Sequence, residues 1–252
     1  MASAIAWRLF MAKTRRIFMM EIPNPMAVRR AVSFCEAIHD GVMAVEGVEA
    51  KRVESPAGIP KAWEEERIAV IVDPRWAAIR EMSSQVVVDA ILAKRNTGTR
   101  MGEAPLVIAL GPGFVAGHDA HVVVETNRGH NLGRLLTSGS AEPDTGIPGE
   151  IGGYTAERVL RAPCAGTFEA LLEIGQRVEA GEKVGHVDGV AMKAGINGVL
   201  RGLIRSGTTV PAGLKLGDID PRGEVDYCHT ISDKARAIAG SVLEAILRVY
   251  NV

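Results

Sequence analysis

Before residue 130 the chain passes through five short apolar stretches with little alternation: RIFMMEI (16–22), RIAVIVD (67–73), VVVDAIL (86–92), PLVIAL (105–110) and AHVVVET (120–126). Continuous β-branched runs of this length predict strands covered on both faces. Between them the pattern turns helical. MASAIAWRLF reads as a first helix with no strand ahead of it, so an initial strand and turn are expected to be missing. Asn24 and Pro25 cap and open a predicted helix that stops at Gly41, and Asp73-Pro74 starts another through RWAAIREM. Strands alternating with helices imply an α/β fold with a mostly parallel, Rossmann-like sheet. The tail ISDKARAIAGSVLEAILRVY (231–250) predicts a helix capped by Ser232, with Ala235, Ile238, Ala239, Val242, Leu243 and Ile246 on one stripe.

From Arg161 the texture changes to short alternating runs punctuated by glycine. Laying 161–188 on 193–220 gives ten identical pairs, among them Gly166/Gly198, Leu171/Leu203, Gly175/Gly207, Val178/Val210, Gly185/Gly217 and Asp188/Asp220. An internal repeat at a fixed offset predicts two copies of one β unit whose open faces close on each other. The unit resembles half of a biotinyl/lipoyl-type flattened β-barrel. The expected organisation is therefore an N-terminally incomplete Rossmann-like domain (1–155), completed by the helix 231–252, with a barrel (156–230) inserted.

The barrel raises one candidate chemistry, because Ala191-Met192-Lys193 matches the context of a biotinylated lysine. In a carrier that lysine sits on a hairpin tip between the halves. Here only GVAM separates Asp188 from the second unit, and Lys193 is expected to open a strand. No biotin or lipoate is expected on it.

Composition narrows the rest. A formal net charge of −1 gives no electrostatic footprint for nucleic acid or an anionic membrane. The apolar runs are far shorter than the roughly 20 residues a spanning helix needs. The opening twenty residues hold four cations and no acid, which also fits a transit peptide; an amphipathic helix running into a strand is the preferred reading. Three scattered cysteines, Cys35, Cys164 and Cys228, fit a reducing cytoplasm, and the adjacent Cys228 and His229 lack the second ligand pair of a zinc site. No metal is expected.

In parallel sheets ligands bind beyond the carboxyl ends of the strands. That rule selects Glu21, then Lys94, Arg95, Asn96 and Thr97 of AKRNTGTR, Gly111 and Gly113 of GPGF, and Asn127, Arg128 and His130 of TNRGHNLGR. Cations, hydroxyls and glycine turns in these loops suit a phosphate or carboxylate. The chain holds no GxGxxG and no P-loop. Candidate acids or bases are Glu21, Glu125, His130 and Asp233, but no two of them form a dyad with their sequence neighbours.

Taken together, EIPNPMAVRRAVSFCEAIHDG, VDAILAKRNTGT, APLVIALGPGF, VVVETNRGHNLGR and TGIPGEIGGYTAERVLRAP resemble the selenium-dependent molybdenum hydroxylase accessory protein family (YqeB-type) over essentially the whole chain. Members of that family begin with a strand and a GAGDLASG-like turn; this chain enters at ASAIA, with Ala4 in place of a glycine. The resemblance implies a bacterial, cytoplasmic maturation factor, partnered with a molybdenum hydroxylase client and binding a nucleotide or molybdopterin-type ligand. A nucleotide- or dinucleotide-dependent oxidoreductase or transferase remains the alternative, and a homo-oligomer stays open.

Overall fold

A computed structural model describes residues 1–251. The chain divides into two compact units: Met1–Asn24, Ala37–Thr145 and the tail from Ile231 form one, Pro25–Glu36 and Gly146–Thr230 the other. In chain order the first part of the structure comprises α1 (Ala2–Met11), β1 (Phe18–Glu21), α2 (Ala37–Asp40), β2 (Val42–Val45), β3 (Val48–Val53), α3 (Ile59–Glu64), β4 (Ile68–Val72), α4 (Ala77–Glu81) and β5 (Val86–Asp89). Then come β6 (Leu106–Leu110), β7 (Val115–Ala116), β8 (Val122–Val124), β9 (Leu135–Leu136) and β10 (Gly139–Ser140). The β-rich part holds β11 (Val159–Arg161), β12 (Gly166–Ala170), β13 (Arg177–Val178), β14 (Lys183–Val187), β15 (Val190–Lys193), β16 (Gly198–Leu203), β17 (Thr208–Val210) and β18 (Lys215–Asp220). Two helices, α5 (Asp226–His229) and α6 (Asp233–Tyr250), close the chain.

The first unit is an α/β structure, but its strands form two main sheets where a single one is expected from the sequence. One has the order β1-β4-β3-β2 and the other β5-β6-β8-β9; β7 and β10 pair separately. In each four-stranded sheet the first three strands are parallel and the last antiparallel. The antiparallel edge of the first sheet follows from a tight turn: Glu46 and Gly47 both have positive φ, 43° and 79°, and join β2 to β3 in two residues. Such primed turns match the twist of a hairpin and leave no room for a crossover. The buried strands read as their composition demands, with Ile68, Ala69 and Val70 in β4 and Val107, Ile108 and Ala109 in β6 all at 0% exposure.

Helix α6 begins where the sequence places its cap: the Ser232 hydroxyl accepts from Ala235 N at 3.4 Å. It packs on α1 and buries Ile238, Ala239, Val242 and Ala245. Its start is tied down by Glu46, whose carboxylate accepts from Ile231 N (2.7 Å) and Arg236 (2.5 Å). Among the described residues no helix is long and apolar enough to cross a membrane.

The segment 25–40 is not the single helix expected from the Asn24-Pro25 start. It forms short 3₁₀ turns at Arg30–Val32 and Phe34–Glu36, and only Ala37–Asp40 is α-helical. Its side chains instead satisfy the second unit: Arg30 Nε donates to Leu203 O (2.7 Å), and Arg205 pairs with the buried Glu36 carboxylate (2.6 Å). Tertiary bonds of this kind override local helix preference.

In the second unit two antiparallel four-stranded sheets have the orders β11-β18-β16-β13 and β15-β14-β12-β17. Strands β12 and β16 begin at Gly166 and Gly198, which the sequence alignment of the two stretches pairs, and β14 and β18 begin at the paired Lys183 and Lys215. Each sheet draws strands from both stretches. Phe168, Val184, Leu200, Leu203, Leu216 and Ile219 fill one core at 0% exposure. Lys193 is exposed and lies at the end of β15, not at the start of a strand. The hairpin tip between β14 and β15 is Asp188-Gly189, both with positive φ (45° and 83°).

One polar network crosses this unit. Asp218 (1% exposed) accepts from Arg158 (3.1 Å) and from Arg201, while Asp220 (0%) accepts from Arg201 (3.0 Å) and Arg222 (2.7 Å). Removing one partner of a buried pair leaves the other charge uncompensated. Asp218→Ala is expected to cost about 3–5 kcal/mol in chemical denaturation, far more than the same change at exposed Asp226.

Candidate functional site

The carboxyl ends of β5, β6 and β8 release three loops, and the backbone brings them together. At the end of β5, Asp89 (6% exposed) accepts from Ile91 N (3.0 Å) and from the Thr99 hydroxyl (2.6 Å), which stops the strand and folds the loop back. Asn96 locks the same loop: its carbonyl oxygen accepts from Gly98 N and Thr99 N, both at 2.8 Å, and its amide donates to Thr99 O. After β6, Gly113 has φ 104°, and a Cβ there would stand 2.5 Å from Arg95 Cα. Gly111 has φ 75°, and a Cβ there would stand 2.5 Å from Thr126 Oγ1. The glycines of GPGF thus let the middle loop touch both neighbours, which no side-chain-bearing residue allows.

The third loop is built around Glu125. This carboxylate is 3% exposed and accepts two main-chain bonds, from Asn127 N (2.6 Å) and Glu142 N (2.7 Å). With both oxygens so engaged it organises the loop and is poorly placed as a proton acceptor. Asn127 and Asn131 then donate to the Glu142 carboxylate, at 2.7 and 3.2 Å, and hold it below the ordinary carboxylate range.

The cations of the site are paired with acids from distant positions. Lys94 Nζ lies 2.7 Å from Asp144, and Arg128 makes a two-bond contact with Asp233 at the start of α6 (2.6 and 3.1 Å). A cation the sequence reading passes over joins them. Lys234 is drawn below the usual lysine range, mainly by burial and then by Arg128, while Glu125, Asp233 and Asp144 act in the opposite direction. The N-terminus of α6 adds its partial positive charge to the same place.

The structure therefore gathers Lys94, Arg95, Asn96, Gly111 and Gly113 around one loop junction, with Asn127 and Arg128 joined to it through Thr126. Thr97 and His130 are exposed on these loops. Glu21 ends β1 in the other sheet, away from the junction's contacts. Its carboxyl is raised by burial, partly offset by a bond from Ile22 N. Of the residues missed from sequence, Asp89 and Thr99 bond to each other within one loop, Glu142 reaches back to Asn127 and Asn131, and Asp144 pairs with Lys94 across 50 residues.

Beside the third loop lies an open cleft of about 350 Å³ lined by Glu125, Asn131, Arg134, Ser140 and Glu142, among others. Two carboxylates against one guanidinium make it a poor seat for an anion, which leaves the loop junction as the better candidate.

No family model matches the chain. It is 47% identical over 250 residues to the uncharacterized protein YqeB of Escherichia coli (strain K12), covering 99% of the chain and 46% of that protein. The chain thus spans about half the length of this YqeB-type relative. Two solved structures share slight likeness: an aspartoacylase family protein from Mesorhizobium loti (18% identity, TM-score 0.24, 34% of this chain and 27% of that one) and the ectoine utilization protein EutE (DoeB) from Ruegeria pomeroyi (16%, TM-score 0.23, 34% and 28%). These likenesses are too small to bear on fold or function.

The raised Glu21 carboxyl gives a pH test. An ionised, desolvated carboxylate weakens the native state once pH exceeds the unfolded glutamate value, and the penalty is complete above the folded value. Glu21→Gln should raise the thermal midpoint at pH 7, and the gain should vanish as pH falls below the ordinary glutamate range.

Proposed function

We propose that this chain is an accessory protein in the maturation of selenium-dependent molybdenum hydroxylases, binding a phosphorylated cofactor or nucleotide at the loop junction of its α/β unit. The observation that carries the binding half is the convergence of Lys94, Arg128 and Lys234 at the carboxyl edge of parallel strands, beside an α6 N-terminus. Parallel sheets place their ligands there, and amides at a helix start favour phosphate. The maturation half rests on the motif resemblance alone, since the 47%-identical YqeB relative carries no assigned role.

The same reading gives the second unit its part. Two four-stranded sheets, each drawing on both of the matching stretches, support a flattened, biotinyl/lipoyl-like barrel of two equivalent halves. Lys193 lies four residues beyond the hairpin tip's Gly189, which speaks against a prosthetic-group carrier, and the proposal gives the barrel the role of contacting the client enzyme. A cytoplasmic location fits the scattered thiols, of which Cys35 and Cys228 are buried.

In this site the acids stand in for ligand. Asp144 and Asp233 occupy the cations that a phosphate would take, so a bound phosphoryl group displaces them. Titration with ADP, pyrophosphate, NAD and a molybdopterin-type ligand, read by thermal shift, tests this. A ligand at a hundred times its Kd adds about 2.7 kcal/mol of stability. Arg128→Ala and Lys94→Ala should weaken the shift, whereas Asp144→Asn should strengthen it. Ligand shifts that all three variants leave untouched would refute the placement, and turnover of a ligand without any client hydroxylase would favour an enzyme.

A further inference from the structure

The second unit holds a group of cations that the reading of the first unit leaves unused. Strand β11 pairs antiparallel with β18, the register sets Arg161 opposite Lys215, and the ladder shifts between Leu160 and Arg161. Like charges directly across a ladder repel, and irregularities of this kind re-aim a side chain. The positions aligned with these two, Lys193 and Lys183, are also cross-strand partners, in β15 and β14. Both of those lysines are exposed, so water screens them; Lys215 is half-buried.

The neighbours of Lys215 do not neutralise it. Burial holds its ammonium below the usual lysine range, Asp218 acts in the opposite direction, and Arg158, Arg201 and Arg161 add to the effect of burial. The Asp218 carboxylate is already engaged by Arg158 (3.1 Å) and by Arg201. Arg201 also donates to Asp220 (3.0 Å), and its Nε is buried with no hydrogen-bond partner. Arg161 donates to Gly213 O (3.0 Å) and is exposed. Among the described residues neither Arg161 nor Lys215 makes an ion pair. Two adjacent cations without a counter-charge, one of them partly desolvated, are costly until an anion joins them.

We propose that Arg161 and Lys215, with Arg201 behind them, form a second anion site on the edge strand β11, and that it takes a dianionic phosphoryl group, free or carried on a small molecule. The arrangement selects this class. Two uncompensated positive charges match a dianion better than a single carboxylate. Arg161 offers a planar fork with donors to spare, and Lys215 a point charge across the ladder from it. A small anion reaches both from solvent, since Arg161 is exposed and Lys215 is only half-buried.

This site stands apart from the loop junction, and its test removes that junction first. A chain carrying Lys94→Ala and Arg128→Ala together is titrated with inorganic phosphate and with phenyl phosphate in chloride buffer, followed by calorimetry. One anion per chain should still bind. Adding Arg161→Gln should weaken it about tenfold or more, the worth of one charge-assisted bond. Adding Lys215→Met should abolish binding while raising the thermal midpoint in chloride, because a desolvated charge is gone. Binding of both probes supports a phosphorylated molecule as the ligand, and binding of phosphate alone supports the free anion. The unsubstituted chain gives a second measurement: pyridoxal phosphate condenses with an amine, losing water, and borohydride fixes the imine for peptide mapping. Lys215 should be labelled ahead of Lys183 and Lys193, inorganic phosphate should protect it selectively, and pyridoxal without its phosphate should show no such preference. Absence of binding to the double variant would overturn the site. So would affinity unchanged by Arg161→Gln and Lys215→Met, equal protection of all three lysines, or the same preference from pyridoxal.

Discussion

A main-chain amide inside a parallel sheet has no partner except the next strand, and that requirement organises this protein. Strands β4 and β6 are apolar on both faces and fully covered, so each needs a strand on either side, and each has one. The requirement also decides where chemistry can sit. With the faces covered, the only irregular backbone available to a ligand is where strands end. In the second unit the same demand is met antiparallel, and each sheet borrows strands from both of the stretches that match in sequence. Neither stretch closes its hydrogen bonds alone, and Phe168 and Leu200, at matching positions, are buried in one core.

Within the strand-end loops the ordering element is a carboxylate, Glu125, that points at amides. A buried carboxylate receiving two N–H bonds is anchored far more firmly than an exposed ion pair. It sets the path of 126–134 and fixes Glu142, and through these it places Arg128. The glycines at 111 and 113 do the complementary work, since the three loops touch only where a Cβ is absent.

Much of this was legible in the sequence. The apolar runs identified β1, β4, β5, β6 and β8, and the serine before DKARAI marked the start of α6. The strands came out shorter than their runs wherever a side chain intervened: Asp89 bonds Ile91 N and ends β5 within VVVDAIL. The hairpin of β2 and β3 was missed because Glu46-Gly47 is not a common primed-turn pair, although the alternation in VEAKRV is visible in retrospect. Segment 25–36 was misread as helix because its real partners, Leu203 and Arg205, lie far along the chain in the other half of the sequence. The loops of the candidate site were found from their position after strands. The pairing of Lys94 with Asp144 and of Arg128 with Asp233, across 50 and 105 residues, has no local signature.

Those pairings bear on how an anion could enter. Lys94 and Asp144 keep 58% and 39% of their side-chain surface, and Arg128 and Asp233 keep 36% and 71%. Exposed pairs of this kind contribute roughly 0–1 kcal/mol each, so separating them costs little. In the proposed binding mode a phosphate, which carries more charge than either aspartate, would offer several acceptor oxygens to Lys94, Arg128 and Lys234, and the acids would move out into water. Burial has already drawn the Lys234 ammonium below its usual range, so a bound anion regains part of what desolvation took away. In the proposed reading, a site that opens at little cost and closes around charge would discriminate by the number of anionic oxygens. Such a site would favour phosphorylated ligands over simple carboxylates.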